Sequence, residues 1–171
     1  MLALKMSEFL GHKVHFQYPI DVIDGFTVFV VVRHPITRFL SAYNFAMSKK
    51  TYWHDRDRNP FPQYDLLKDM TMHDIIDSLL EDEFKVITHS GWRHQYPFMF
   101  DKYDKLCVDY VLKQENLQND FDAMMDDIGM ERIQLPNSNV SDLVIDKIED
   151  ESLIAKIKDF YKKDYTLLGY A

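Results

Sequence analysis

With 171 residues and 46% hydrophobic content, the chain is the size of one ordinary domain and can bury a core. Ten Tyr, twelve Phe and two Trp argue against disorder, and a net charge of −8 argues against a partner held by a broad basic field, such as nucleic acid. The single cysteine, Cys107, excludes an internal disulfide and any metal site built from several cysteines.

Residues 2–10 read as a short helix with Leu2, Met6 and Phe9 on one side, stopped by Gly11. Asp24-Gly25 signals a turn, and Phe26–Val32 follows as an apolar, β-branched run. The run does not alternate, so both of its faces are expected to be buried, as in a parallel sheet. Pro35 suits the first turn of a helix whose apolar side carries Ile36, Phe39, Leu40, Tyr43 and Met47. Residues 51–70, polar with two prolines, read as a loop in which Tyr52 and Trp53 could stack on a sugar.

Thr71 and Asp74 make a shortened capping box, and the helix behind it turns Ile75, Ile76, Leu79, Leu80 and Phe84 inward. Residues 85–104 are irregular and aromatic, and Leu106–Leu112 is a second strand. Asn116 is placed to cap a helix holding Leu117, Phe121, Met124, Met125 and Ile128, which Gly129 ends. Residues 133–142 are loop, and a last helix over about 149–163 buries Leu153, Ile154, Ile157, Phe160 and Tyr161. Strands separated by long helices imply one α/β domain over 1–171 with a mainly parallel sheet. No stretch approaches the roughly 20 apolar residues of a membrane span. The apolar run at the start is too short for a signal peptide.

The stretch FVVVRHPITRFLSAY, residues 29–43, carries the clearest chemistry. Ligands of open α/β sheets bind beyond the carboxyl ends of the strands, where Arg33 sits, just before a helix start. Free N–H groups and the helix dipole favour an anion there, and a guanidinium can grip a phosphate through two bonds. Thr37, Arg38 and Ser41 share a face of the helix by their i, i+4 and i, i+3 spacings. A structural alternative pairs Arg33 with a carboxylate and leaves Ser41 as plain helix surface.

Arg33, Pro35, Arg38 and Ser41-Ala42-Tyr43 resemble the 3′-phosphate-binding motif of sulfotransferases that use 3′-phosphoadenosine 5′-phosphosulfate (PAPS). The pattern is closest to the Golgi carbohydrate sulfotransferases and their bacterial relatives. Three further segments are similar in order: Asp109–Leu117 with Asp120-Phe121, Leu135–Ser141, and Tyr161–Tyr170. The resemblance covers roughly 26–50 and 88–170. It implies a P-loop-NTPase-like three-layer sandwich, with the 3′-phosphate on Arg33 and Ser41. Such enzymes hold the 5′-phosphosulfate on a Lys- and Ser/Thr-containing loop before the arginine strand. No such loop precedes Phe26, so the expectation is a domain truncated at its N-terminus, without its first strand and phosphosulfate loop.

Sulfuryl transfer needs a base near the acceptor hydroxyl, and histidine titrates in the right range. His12 and His15 precede the arginine strand, where some relatives, heparan sulfate 2-O-sulfotransferases among them, carry a catalytic His. The alternative is two surface histidines without a role. No third ligand accompanies this pair, so no metal site is expected. Gly91-Trp92-Arg93-His94-Gln95 resembles a family segment in which Arg93 and Gln95 would touch an acceptor or the nucleotide; Trp92 reads equally well as core. Lys113 is basic like its counterparts, and Glu115 is expected to fix its loop.

Two functions are therefore open. One is sulfate transfer from PAPS to a hydroxyl, that of a carbohydrate by resemblance. The other is a non-catalytic remnant that binds adenosine 3′,5′-bisphosphate or a protein partner. The implied compartment is the cytoplasm for a bacterial protein and the Golgi lumen for a piece of a longer eukaryotic-type chain.

Overall fold

The structure, a computed structural model, describes residues 26–48, 67, 69–81, 91–101, 103–136 and 145–170. The expected helix over 2–10, His12, His15, Phe84 and nearly all of the 51–70 loop lie outside these residues. The fold mixes helices with a small parallel sheet, as expected of an α/β protein.

Strand β1 (Phe29–Val32) runs parallel to β2 (Tyr110–Lys113), in a register that sets Phe29 opposite Tyr110 and Val32 opposite Lys113. Because side chains alternate, the pair presents two faces. Phe29, Val31, Tyr110 and Leu112 pack on Phe121, Met124 and Met125 of helix α3 (Leu117–Asp127). Val30, Val32 and Val111 pack on Met99, Leu168 and Tyr170. Both faces are thus covered, which is why neither strand alternates in sequence.

Both strands are shorter than their apolar runs. Phe26 is 57% exposed, and the Val28 N–H is taken by the Asp109 carboxylate at 2.7 Å. Leu106, 42% exposed, forms only an isolated antiparallel bridge with Phe100. The intervening turn carries Asp104 at φ 59°. Hydrophobicity alone set the predicted starts too early by a few residues.

Helix α1 (Pro35–Met47) begins at the expected proline and buries Phe39, Leu40, Ala42 and Ala46. It shares the main core with α2 (Met72–Glu81), α4 (Glu151–Phe160), Trp92 and Tyr161. The Thr71–Asp74 box forms as read: the Thr71 N–H donates to Asp74 at 2.8 Å, and the Asp74 N–H donates to the Thr71 hydroxyl at 3.2 Å. Ile75, Ile76 and Leu79 are buried, whereas Leu80 is 42% exposed, because it falls beyond the edge of the stripe that meets α1 and α4. Asn116 stands at the start of α3 but makes no capping bond. Its amide donates to Asp120 at 2.7 Å, and its oxygen accepts from Asn119 at 2.6 Å. Gly129, at φ 70°, ends the segment in the left-handed conformation that glycine tolerates.

The single last helix expected over 149–163 is two. Tyr161 leaves helical geometry (φ −91°, ψ 18°) between α4 and α5 (Lys162–Leu168). Asp150 caps α4, accepting from the N–H groups of Ser152 (2.9 Å) and Leu153 (3.2 Å), and it meets His73 of α2 at 2.8 Å. Hydrogen bonds from Ser152, His73 and Leu153, in that order, hold the Asp150 carboxyl well below the usual carboxylate range. A depressed carboxyl stabilises the fold above its unfolded pKa, near 4, and that contribution fades as the pH falls toward the folded value. Asp150→Ala is expected to lower the melting temperature by about 2–4 °C at pH 7. In thermal melts the gap to the parent should narrow below pH 4; a constant gap would remove the ionised cap as its cause.

Candidate functional site

The site lies where the carboxyl ends of β1 and β2 meet the start of α1. Pro35 at the first helical position has no N–H, so the first free donors are Ile36 and Thr37. His34, at the N-cap, supplies no side-chain bond, and no acidic residue stands in the first turn. The first turn thus carries no acid of its own to offset the helix dipole, and the Glu115 carboxylate meets the His34 N–H at its edge at 2.7 Å.

Arg33 follows the strand directly. Its Nε donates to the Thr37 hydroxyl at 3.2 Å, and that hydroxyl donates in turn to the His34 carbonyl at 3.0 Å. The guanidinium therefore meets α1 at Thr37. Ser41, one turn further on the same face, is half-buried. Arg33, Thr37 and Ser41 form a polar stripe beginning at the helix N-terminus. No carboxylate is paired with Arg33 among the described residues.

Arg38 departs from this stripe. Its guanidinium donates to the Arg93 carbonyl at 2.5 Å, anchoring the 91–96 segment to α1. Burial, foremost, holds its pKa below the ordinary arginine value; Tyr161 and Asp164 act in the opposite sense, and Arg33 adds to the lowering. Arg38 is thus a half-buried cation that holds a loop.

Gln95 is 6% exposed, and both ends of its amide are committed. Its oxygen accepts from the Arg33 N–H at 2.9 Å and its nitrogen donates to the Arg33 carbonyl at 2.8 Å, as a neighbouring strand would. An N–H and a C=O on one residue fix which way the amide faces. The expected contact of Gln95 with acceptor or nucleotide thus meets a side chain already spent on the backbone. Arg93 is exposed, while Trp92 is fully buried in the core.

Glu115 fixes its loop as expected, accepting from the His34 N–H at 2.7 Å and from the Tyr170 hydroxyl at 3.2 Å. The Lys113 ammonium lies 4.7 Å above the Tyr170 ring and 3.5 Å from the Gly169 carbonyl. Gly169, at φ 65°, adopts the left-handed turn that brings Tyr170 back to these groups. The His34 ring packs edge-on against Tyr165 and Tyr170, with centroids 5.4 and 5.2 Å away. Burial pushes the Tyr165 hydroxyl up to about 12, and burial with Glu115 raises Tyr170 further. Both hydroxyls stay protonated at neutral pH.

Asp164 was not singled out from the sequence. It is fully buried and accepts from the N–H groups of Gln95 (3.0 and 2.9 Å) and Tyr96 (2.9 Å). The available signal was a carboxylate on the buried stripe Ile157, Tyr161, Leu168. A separate depression of about 440 Å³, lined by residues including His94, Phe160, Lys162 and Thr166, contains none of Arg33, Thr37 and Ser41. Among the described residues no group of three or more His, Cys, Asp or Glu could hold a metal ion, and no helix is long and apolar enough to cross a membrane.

A parallel strand pair, with Arg33 directly after β1 and at the start of a helix, is an arrangement that favours an anion in α/β proteins. A model of the sulfotransferase family matches residues 11–171, nearly the whole chain, and the chain belongs to that family. The family generally uses PAPS as sulfate donor and implies a hydroxyl-bearing acceptor. No curated protein and no solved structure gives a significant match.

Proposed function

We propose that this chain is a single sulfotransferase domain of P-loop-like three-layer architecture that transfers a sulfuryl group from PAPS to a hydroxyl, that of a carbohydrate. The observation that supports this reading most is the Arg33 guanidinium held along Thr37 at the open start of α1. In this reading Arg33 and Ser41 bind the nucleotide's 3′-phosphate. The Ile36 and Thr37 N–H groups and the helix dipole add to the attraction. The residues fit such a group: the stripe carries a planar cation and hydroxyls, the first turn of α1 has no acidic residue of its own, and the neighbouring Glu115 carboxylate is engaged by the His34 N–H.

PAPS supplies the sulfuryl group; the chain's residues bind and orient it, and one of them takes the acceptor's proton. His12 or His15 is the proposed base, and Arg93, exposed in the 91–96 segment, is a proposed acceptor contact. Gln95 serves the site through the Arg33 backbone.

Scanning fluorimetry with adenosine 3′,5′-bisphosphate tests the donor assignment. Ligand at about a hundred times its Kd stabilises the folded chain by about 2.7 kcal/mol, an upward shift of several degrees. Adenosine 5′-monophosphate at the same concentration should shift the transition less. No shift with the bisphosphate counts against the reading.

A further inference from the structure

The backbone of Arg33 and His34 is held from the C-terminal segment of the chain through two relays of hydrogen bonds. In the first, buried Asp164 of α5 accepts from the Gln95 N–H, and the Gln95 amide brackets the Arg33 N–H and carbonyl at 2.9 and 2.8 Å. In the second, the Tyr170 hydroxyl donates to Glu115 at 3.2 Å, and Glu115 accepts from the His34 N–H at 2.7 Å. Three successive polar groups, Arg33 N–H, Arg33 C=O and His34 N–H, are thereby satisfied by side chains where the two-strand ladder ends. Their direct partners lie 62 and 81 residues away in sequence.

We propose that Asp164–Gln95 and Tyr170–Glu115 are positioning residues for the 3′-phosphate subsite. They fix the peptide planes from which the Arg33 side chain leaves the strand and α1 begins. An arginine binds a phosphate through two bonds only if its fork arrives at a set angle, so the direction of departure matters as much as the charge. Gly169 supports the second relay by turning Tyr170 onto Glu115, while the Lys113 ammonium braces the Tyr170 ring. The Tyr170 hydroxyl is a neutral donor at neutral pH, as an ordinary tyrosine is, and burial raises its pKa further. The inference rests on the reading of Arg33 as a 3′-phosphate ligand.

The test is calorimetric titration of the intact chain with adenosine 3′,5′-bisphosphate and with adenosine 5′-monophosphate. Tyr170→Phe removes one hydroxyl and keeps the ring; Gln95→Met removes the bracket and keeps the length. Each is expected to weaken the bisphosphate about five- to tenfold, the scale of one lost hydrogen bond, and to leave the monophosphate unchanged. In an Arg33→Ala background each should have no further effect, a non-additivity expected of groups acting through one side chain. Equal losses for both nucleotides, or losses that persist without Arg33, would overturn the proposal. Should Gln95→Met fail to fold, Tyr170→Phe decides alone. If the parent chain does not prefer the bisphosphate, or if Arg33→Ala leaves that preference intact, the phosphate reading itself falls and the relays with it. If the preference depends on Arg33 but neither relay variant alters it, the relays alone are refuted.

Discussion

Replacing Arg33 with alanine is expected to weaken adenosine 3′,5′-bisphosphate about a hundredfold or more. Each charge-assisted hydrogen bond contributes about 1.5–3 kcal/mol, and a guanidinium at the strand end can offer two, so a loss of about 3 kcal/mol is conservative. Arg33→Lys should recover only part of it, because an ammonium lacks the planar fork. The fold should hardly notice. The side-chain hydrogen bond of Arg33 among the described residues is with exposed Thr37, and the backbone bonds to Gln95 do not depend on the side chain. Titration calorimetry and thermal melts on the same samples separate the two quantities. An unchanged Kd would remove Arg33 from the site, and a collapse in melting temperature would recast it as structural.

The largest expected stability effect is at Tyr161. It is fully buried where α4 turns into α5, and its hydroxyl donates to the Trp92 carbonyl at 2.6 Å. Truncation to alanine leaves a cavity beside Trp92 and Ile157 and is expected to cost about 3–5 kcal/mol, a large share of a typical domain's stability. Tyr161→Phe keeps the ring and costs about 1 kcal/mol for the lost bond. Denaturant titrations of both variants check this. Equal effects would place the stabilisation in the hydroxyl instead of the ring.

The loss should also reach the site. The 91–96 segment is tied down by Tyr161 at Trp92, by Arg38 at Arg93 and by Asp164 at Gln95 and Tyr96. Loosening it frees the bracket on Arg33.

How legible this was depends on the range of the contacts. The junction of β1 and α1 could be read from Val30-Val31-Val32 and Pro35, because propensity and backbone restriction act locally. The Thr71–Asp74 box and the buried faces of α2 and α3 followed from spacing in the same way, with Leu80 as the exception. Strand starts were less legible. Phe26 and Leu106 are apolar, yet they stay exposed where each strand's pairing has not begun, which depends on a partner about 80 residues away. The division of the last helix at Tyr161 answers to Trp92, 69 residues earlier, and nothing between 149 and 163 announces it.

The same distinction divides the site. Thr37 and Ser41 are neighbours on one helix face and Arg33 directly precedes that helix, so the motif displayed them. Arg38 belongs to that motif by spacing, yet its side chain turns to the Arg93 carbonyl 55 residues away. Gln95, Glu115 and Asp164 owe their roles to partners 62 to 81 residues distant, visible only once the chain is folded. The resemblance of the Tyr161–Tyr170 segment to the family's ending marked a region of interest without saying what it does. Its contacts tie it, through Gln95 and Glu115, to the backbone of Arg33 and His34.

The central claim is that Arg33 and Ser41 hold the 3′-phosphate of a sulfate donor. A crystal structure of the chain with adenosine 3′,5′-bisphosphate tests it most directly. The account predicts the 3′-phosphate within hydrogen-bond distance of the Arg33 guanidinium and the Ser41 hydroxyl, at the first turn of α1. A bisphosphate bound with its 3′-phosphate on other residues, and Arg33 still lying on Thr37 without it, would contradict it.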